Sequence, residues 1–210
     1  MSDNIIVVRI GKGKIFVRIF ITFADVSNKK TEVVMELKET LLKRRSIRKF
    51  ENRPVDRQTI EQLLAETFTA PSSRNTRSSR FMVVTDRQNM ERISTMRDYG
   101  AAFMKDAPAA ILVAGDESVT DLWVDNASIS ATILQLAATD AGLGSCWVHV
   151  NGRPRLKAEP DGQSAEEYLR TFLPIPATWR PLCFIALGYP AAEVAPHSQK
   201  DDSDKVIWVE

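Results

Sequence analysis

The sequence predicts one compact domain in which helices and strands alternate. Its 210 residues suffice for one sizeable core and fall short of two as the default. Four apolar runs of strand length occur, "RFMVVTD", "AAILVAGD", "SCWVHV" and "PLCFIALGYP", and a segment with helical periodicity lies between each run and the next. A hydrophobic share of 44% with a charged share of 26% is ordinary for a globular protein and argues against disorder.

The elements follow in order. Residues 1–35 stand apart: "IIVVRIGKGKIFVRIFITF" reads as a hairpin around Gly-Lys-Gly, and "ADVSNKKTE" as a polar linker. They are taken as an N-terminal extension of unknown role, with residues 36–210 as the domain. Leu37, Leu41 and Leu42 form a short helical stripe. Asp56 caps a helix with Ile60, Leu63, Leu64 and Phe68 on one face, which Ala70-Pro71 stops. "RFMVVTD" then reads as a buried strand, and "RQNMERISTM" as a helix with Met90, Ile93 and Met96 inward. After the buried strand "AAILVAGD" comes "DNASISATILQLAATDAGLG", apolar or small nearly all the way round and ended by Gly142. Such a helix is covered on every side, and in a domain this small a second subunit is the expected cover for its outer face. A capping box from Ser164 to Glu167 opens a lesser helix, and "VIWVE" closes the chain as a fifth short strand or an arm.

Composition excludes several functions. Lys and Arg number 28 against 27 Asp and Glu, so the global positive field of a nucleic-acid binder is missing. Two cysteines, Cys146 and Cys183, lie in apolar runs and read as buried thiols of a cytoplasmic protein rather than as a disulfide framework. Arg18 interrupts the most apolar early stretch, and neither a spanning helix nor a signal peptide is expected. The two histidines are 48 positions apart with no cysteine pair beside them, so no metal site is expected. Cys146 and His149, three apart on a strand, point to opposite faces and make no thiol-imidazole pair. There is no Gly-x-Ser-x-Gly and no Walker loop.

One charge cluster stands out. "LLKRRSIRKF" places five cations in the seven positions from Lys43 to Lys49. A solvated basic helix end accounts for them without a ligand; an anion site is the alternative.

The order of "RRSIRKF", "APSSRN" before a strand, a buried helix ending in "AGLGSCW", "IALGYP" and a Trp-bearing terminus resembles the nitroreductase family of FMN-dependent oxidoreductases. The likeness runs from about Glu36 to Glu210. It implies an α+β sandwich around a mixed, mainly antiparallel sheet, and a homodimer with FMN at the subunit interface. It also implies NADH or NADPH as electron donor, and a small-molecule acceptor such as a nitroaromatic or quinone reduced in a ping-pong cycle.

The resemblance assigns residues. Arg44, Ser46 and Arg48 become donors to the FMN phosphate or ribityl chain, with Arg45 adding contacts; guanidinium suits a phosphate monoester by its forked, charge-assisted geometry. Lys43 and Lys49 are left to solvent. Pro71, Ser72, Ser73 and Asn75 become a loop at the flavin ring contributed by the partner subunit, though a Ser/Asn turn is by itself an ordinary structural feature. Gly142, Leu143 and Gly144 become the approach of main-chain N–H groups to the ring, though Gly-x-Gly after a helix is also an ordinary C-cap. Lys200, with His197 and Gln199 beside it, becomes the late basic residue that closes on the phosphate. Chemistry resides on the cofactor, so no catalytic acid or base is expected.

The chain departs from the family pattern in two places. Where relatives continue Asn-x-Gln-Pro-Trp, this chain has Asn75-Thr76-Arg77-Ser78-Ser79, which removes an aromatic and adds a cation suited to an anionic substrate or to nicotinamide phosphates. Where relatives often have glycines, it has His149 and Val150. A non-catalytic flavin-binding or interaction protein is the competing function, and reductive dehalogenases and flavin-fragmenting enzymes share the scaffold.

Overall fold

The structure is a computed structural model that describes residues 36–198 and 200–210. The hairpin and linker expected before residue 36 lie outside the described residues.

Local chemistry sets the helix boundaries. Helix α1 (Leu37–Lys43) leads into the basic segment. Helix α2 (Arg57–Thr67) starts where Asp56 accepts the Thr59 N–H, and helix α3 (Arg87–Ser94) where Asp86 accepts the Asn89 N–H; each aspartate satisfies an amide with no partner inside the helix. Helix α4 (Trp123–Asp140) is the longest, and α5 (Ala165–Arg170) opens on the complete Ser164–Glu167 capping box. Strands β1 (Ser79–Val84), β2 (Ala109–Asp116), β3 (Gly144–His149) and β4 (Trp179–Gly188) form one sheet in the order β1-β2-β4-β3. All three pairings are antiparallel, and one parallel bridge, Ser46 to Ser145, joins the basic segment to the edge of β3.

The sheet is buried on both faces, as the continuous apolar reading of β2 and β4 requires. Leu112, Phe184, Ala186, Cys146 and Val148 pack on one face with Met90, Ile93 and Met96 of the α3 region and Leu169 of α5. Ile111, Val113, Ile185 and Leu187 pack on the other with Ile60 and Leu63 of α2 and Ala127, Ala131 and Leu134 of α4. Helices on both sides of an antiparallel sheet make the α+β sandwich.

Strand β1 differs from the buried strand of the sequence reading, and the structure settles the placing of two further elements. Strand β1 is an edge strand bonded only to β2, so it is half-buried and leaves Val83 exposed. In α1 only Thr40 is buried, while Leu37 and Leu41 face outward. "VIWVE" forms no strand; Ile207, Trp208 and Val209 are 83–94% exposed, and the segment is an arm. Helix α4 behaves as expected on its inner face, yet Ile129 is exposed and Ile133 and Leu136 are only partly covered. The described chain therefore leaves apolar surface on α1, the outer face of α4, β1 and the terminal arm.

Candidate functional site

The basic segment is held at one end of the sheet. Arg44 N–H closes the last turn of α1 on Thr40 O, after which the chain runs beside β3, with the Ile47 N–H donating to Ser145 O at 2.9 Å. Further on, Glu51 N–H donates to Tyr189 O, Ala191 N–H to Lys49 O and His197 N–H to Leu42 O. These bonds fix the segment between the start of β3 and the chain that leaves β4. Gly144 makes the approach possible, because a Cβ there would lie 2.8 Å from Cβ of Ile47. Gly144 thus supplies space, whereas Gly142 supplies conformation: its φ of +73 ends α4, with the Leu143 N–H reaching back to Ala138 O.

The cations separate into paired and uncompensated groups. Lys43 bonds Glu39 across one helical turn. Arg44 lies 3.3 Å from Nε2 of His197, Arg45 donates to Ala195 O, and Arg48 sits over the Phe103 ring. Among the described residues no carboxylate forms an ion pair with Arg44, Arg45 or Arg48. Three arginines in one short segment, with no acid partner among the described residues, make it a candidate anion site. Ser46 is exposed beside them. Lys200 is exposed, and the basic side chain that meets Arg44 is His197. Cys146 lies beneath the cluster, its thiol pushed up by burial against the opposing pull of Arg48, so it stays protonated and inert.

The second predicted group lies elsewhere. Ser73 to Asn75 form a single 3₁₀ turn in which Arg74 and Asn75 have φ of +50 and +55, and Arg77 follows at +48. Such backbone persists only where contacts over-determine it. Here Asn126 of α4, 2% exposed, supplies them: its Oδ1 accepts from the Ser73 N–H at 2.8 Å, and its Nδ2 donates to Ser73, Thr76 and Ser78 hydroxyls. Ser72 Oγ accepts the Arg77 N–H at 2.9 Å. Sequence reasoning missed Asn126; a lone amide in the first turn of an otherwise apolar helix was its only signal.

One chain does not bring the two groups together. The loop precedes Ser79, which pairs with Gly115 and so lies level with Arg180 at the start of β4, whereas Gly144 and the arginines lie level with Gly188 at its end. Eight strand residues separate these levels, roughly 26 Å at the rise of a strand. Helix α4 gives the same distance independently, since Asn126 lies near its start, Gly142 lies beyond its end, and 18 helical residues span roughly 27 Å.

His149 ends β3 away from both groups' side chains. Its Nδ1 accepts from Trp147 Nε1 at 3.3 Å, its ring stacks on that indole, and its carbonyl accepts from the buried Arg97. Burial first, then the charges of Arg153 and Arg97, hold its pKa below the ordinary value. No group of His, Cys, Asp and Glu among the described residues could hold a metal ion, and no described helix is long and apolar enough to cross a membrane.

The family model described as "Nitroreductase family" matches residues 41–96 and 94–189. The chain belongs to the nitroreductase family. A Methanothermobacter thermautotrophicus protein named "Putative NADH dehydrogenase/NAD(P)H nitroreductase" is 35% identical over 160 residues, 75% of this chain and 78% of that protein. The structure is similar to that of an FMN-dependent nitroreductase from Clostridium difficile, with 35% identity and a TM-score of 0.75 over 81% of this chain and 98% of that one. The fold is also similar to that of a protein from Desulfovibrio desulfuricans described as "a putative nitroreductase in complex with fmn", at 22% identity and a TM-score of 0.68 over 83% of this chain and 96% of that one. Within the nitroreductase family the chain is an oxidoreductase on the α+β scaffold, and its arginine segment and Ser/Asn loop occupy opposite ends of one sheet.

Proposed function

We propose that the protein is a homodimeric FMN-dependent oxidoreductase that takes electrons from NADH or NADPH and delivers them to a small acceptor such as a nitroaromatic or quinone. The observation that carries this reading is the uncompensated Arg44, Arg45 and Arg48 group, packed against the start of β3 across Gly144, in a member of this family. Residues 36–210 form the working domain in this reading, and a cytoplasmic setting agrees with two buried free thiols.

The residues present fit FMN. A phosphate monoester carries nearly two negative charges, and Arg44, Arg45 and Arg48 offer forked donors with no carboxylate competing for them among the described residues. Ser46 adds a hydroxyl, and Lys200 and His197 lie on the chain that returns over the segment. Pro71, Ser72, Ser73 and Asn75 lie roughly 26 Å away, too far to meet a ligand anchored on those arginines in the same chain. A second copy in two-fold arrangement supplies that loop, with its polar groups for the ring edge, and covers the outward leucines of α1, Ile129 of α4 and the terminal arm. Gly142 and Leu143 end α4 and Gly144 lets Ile47 pack on the start of β3, which together set the arginine segment and these main-chain groups at one place. When bound, FMN supplies the hydride chemistry, and the chain binds, orients and excludes water without a catalytic acid or base of its own.

The absorbance spectrum of purified protein tests the reading. Flavin bands bleached by NADH or NADPH and restored by a nitro compound support it. Bands that no nicotinamide bleaches make the protein a flavin-binding module, and a colourless protein indifferent to added FMN removes the reading altogether.

A further inference from the structure

Beside the Ser72–Ser79 loop lies a cavity of about 240 Å³. One wall is aromatic: Phe68, just past α2, meets Phe81 of β1 edge to face at 5.6 Å between ring centroids. The adjoining part of the lining is hydroxylic, with Ser79, on the same face of β1 as Phe81, and Ser130 placing their Oγ atoms 2.8 Å apart. Arg77 stands at the rim.

Each wall has a chemical consequence. An apolar cavity of about 150 Å³ already admits a benzene ring, so this one holds a substituted ring with room for a polar group. Edge-to-face phenyl groups present the geometry a third aromatic ring prefers to join. Of the two serine hydroxyls only one donates to the other, which leaves the second hydrogen for a ligand acceptor. Charge is present on one side only: Arg80 is spent on Asp116 at 3.1 Å, while the Arg77 guanidinium has no carboxylate partner among the described residues. Both distinctive groups, Arg77 and Ser79, come from the segment that runs from the Ser/Asn turn into β1. An indole at position 79 would fill the space that the serine leaves.

We propose that this cavity is a binding site for a small aromatic carboxylate, with the ring against the Phe68–Phe81 pair and the carboxylate on Arg77 and the serine pair. All its lining residues come from one chain, although Ser72 also belongs to the loop proposed for the flavin ring, so the inference borders that reading and separate titrations keep the two failures distinguishable.

The test is a ¹⁹F NMR titration of the full chain with 4-fluorobenzoate, run beside a fluorescence titration with FMN. Saturable 4-fluorobenzoate binding is expected, weakened at least about tenfold in Arg77→Ala by loss of a charge-assisted contact. 4-Fluorobenzyl alcohol, which keeps the ring and lacks the charge, should bind Arg77→Ala and the parent chain alike. Ser79→Trp should abolish binding of both probes while FMN titrates as before. Arg77 is exposed, so its variant carries no threat to folding and decides the question even if Ser79→Trp does not fold. Absence of saturable binding, or 4-fluorobenzoate affinity unchanged in Arg77→Ala, overturns the proposal.

Discussion

The guanidinium of Arg44 lies 3.3 Å from Nε2 of His197, across 153 positions of sequence. Arginine only donates, so Nε2 must accept and the imidazole proton sits on Nδ1. The contact holds the Arg44 side chain in one orientation. Arg44→Ala and Arg48→Ala should each lose a charge-assisted contact to FMN phosphate of about 1.5–3 kcal/mol, roughly a tenfold to 150-fold rise in Kd. His197→Ala should weaken binding less, since Arg44 keeps its charge and loses only its orientation. Flavin fluorescence titration reads all three.

The same segment depends on a glycine. Gly144→Ala would set a methyl 2.8 Å from Ile47 Cβ and force the arginine segment away from β3. A cost of about 1–3 kcal/mol in denaturant unfolding is expected, with weaker FMN binding. Ile47→Ala in the same chain should restore part of the FMN affinity by opening the space again. No restoration would show that Gly144 serves the site in some other way.

Asn126 organises the strained loop. Asn126→Leu leaves the Ser73 N–H and up to three hydroxyls without their partner and should destabilise the fold by about 1–3 kcal/mol. Limited proteolysis should then cut near Arg74 and Arg77, which the parent chain protects. A variant as stable and as resistant as the parent would contradict the role given to Asn126.

His149 sets an acid limit. Its folded-state pKa is held below the ordinary value, so between that ordinary value near 6.5 and the lower folded value the unfolded chain binds the extra proton. Its contribution is therefore complete above that window and is lost as pH falls through it. The midpoint of urea unfolding, followed downward from pH 7, should fall less steeply in His149→Phe than in the parent. Equal slopes would remove the assignment.

Much of this molecule was legible before its structure, for reasons that are local. Asp56, Ser164 and Gly142 act within a few residues of themselves, and the apolar runs of β2 and β4 follow from burial on both faces. What was not legible depends on partners far along the chain or outside it. The outward leucines of α1 carry the periodicity of a core helix while the described residues leave them exposed. The edge position of β1 is a property of strand order, and nothing in "RFMVVTD" encodes it. In the site, the arginine cluster and the Ser/Asn loop were recognisable as motifs. Their separation along β4, the space that Gly144 leaves for Ile47 and the anchoring by Asn126 required coordinates.

The central claim, that each flavin site joins the arginines of one chain to the Ser/Asn loop of another, is tested most directly by complementation. Two chains with different tags would be co-expressed, one carrying Arg44→Ala and Arg48→Ala, the other Asn75→Glu, and the doubly tagged dimers isolated. Each parent dimer has two damaged sites, whereas the mixed dimer has one site with both defects and one with none. The account predicts colourless parents and a yellow mixed dimer holding flavin in one of its two sites. A mixed dimer as empty as its parents would mean that each site draws its arginines and its loop from the same chain and contradict the account.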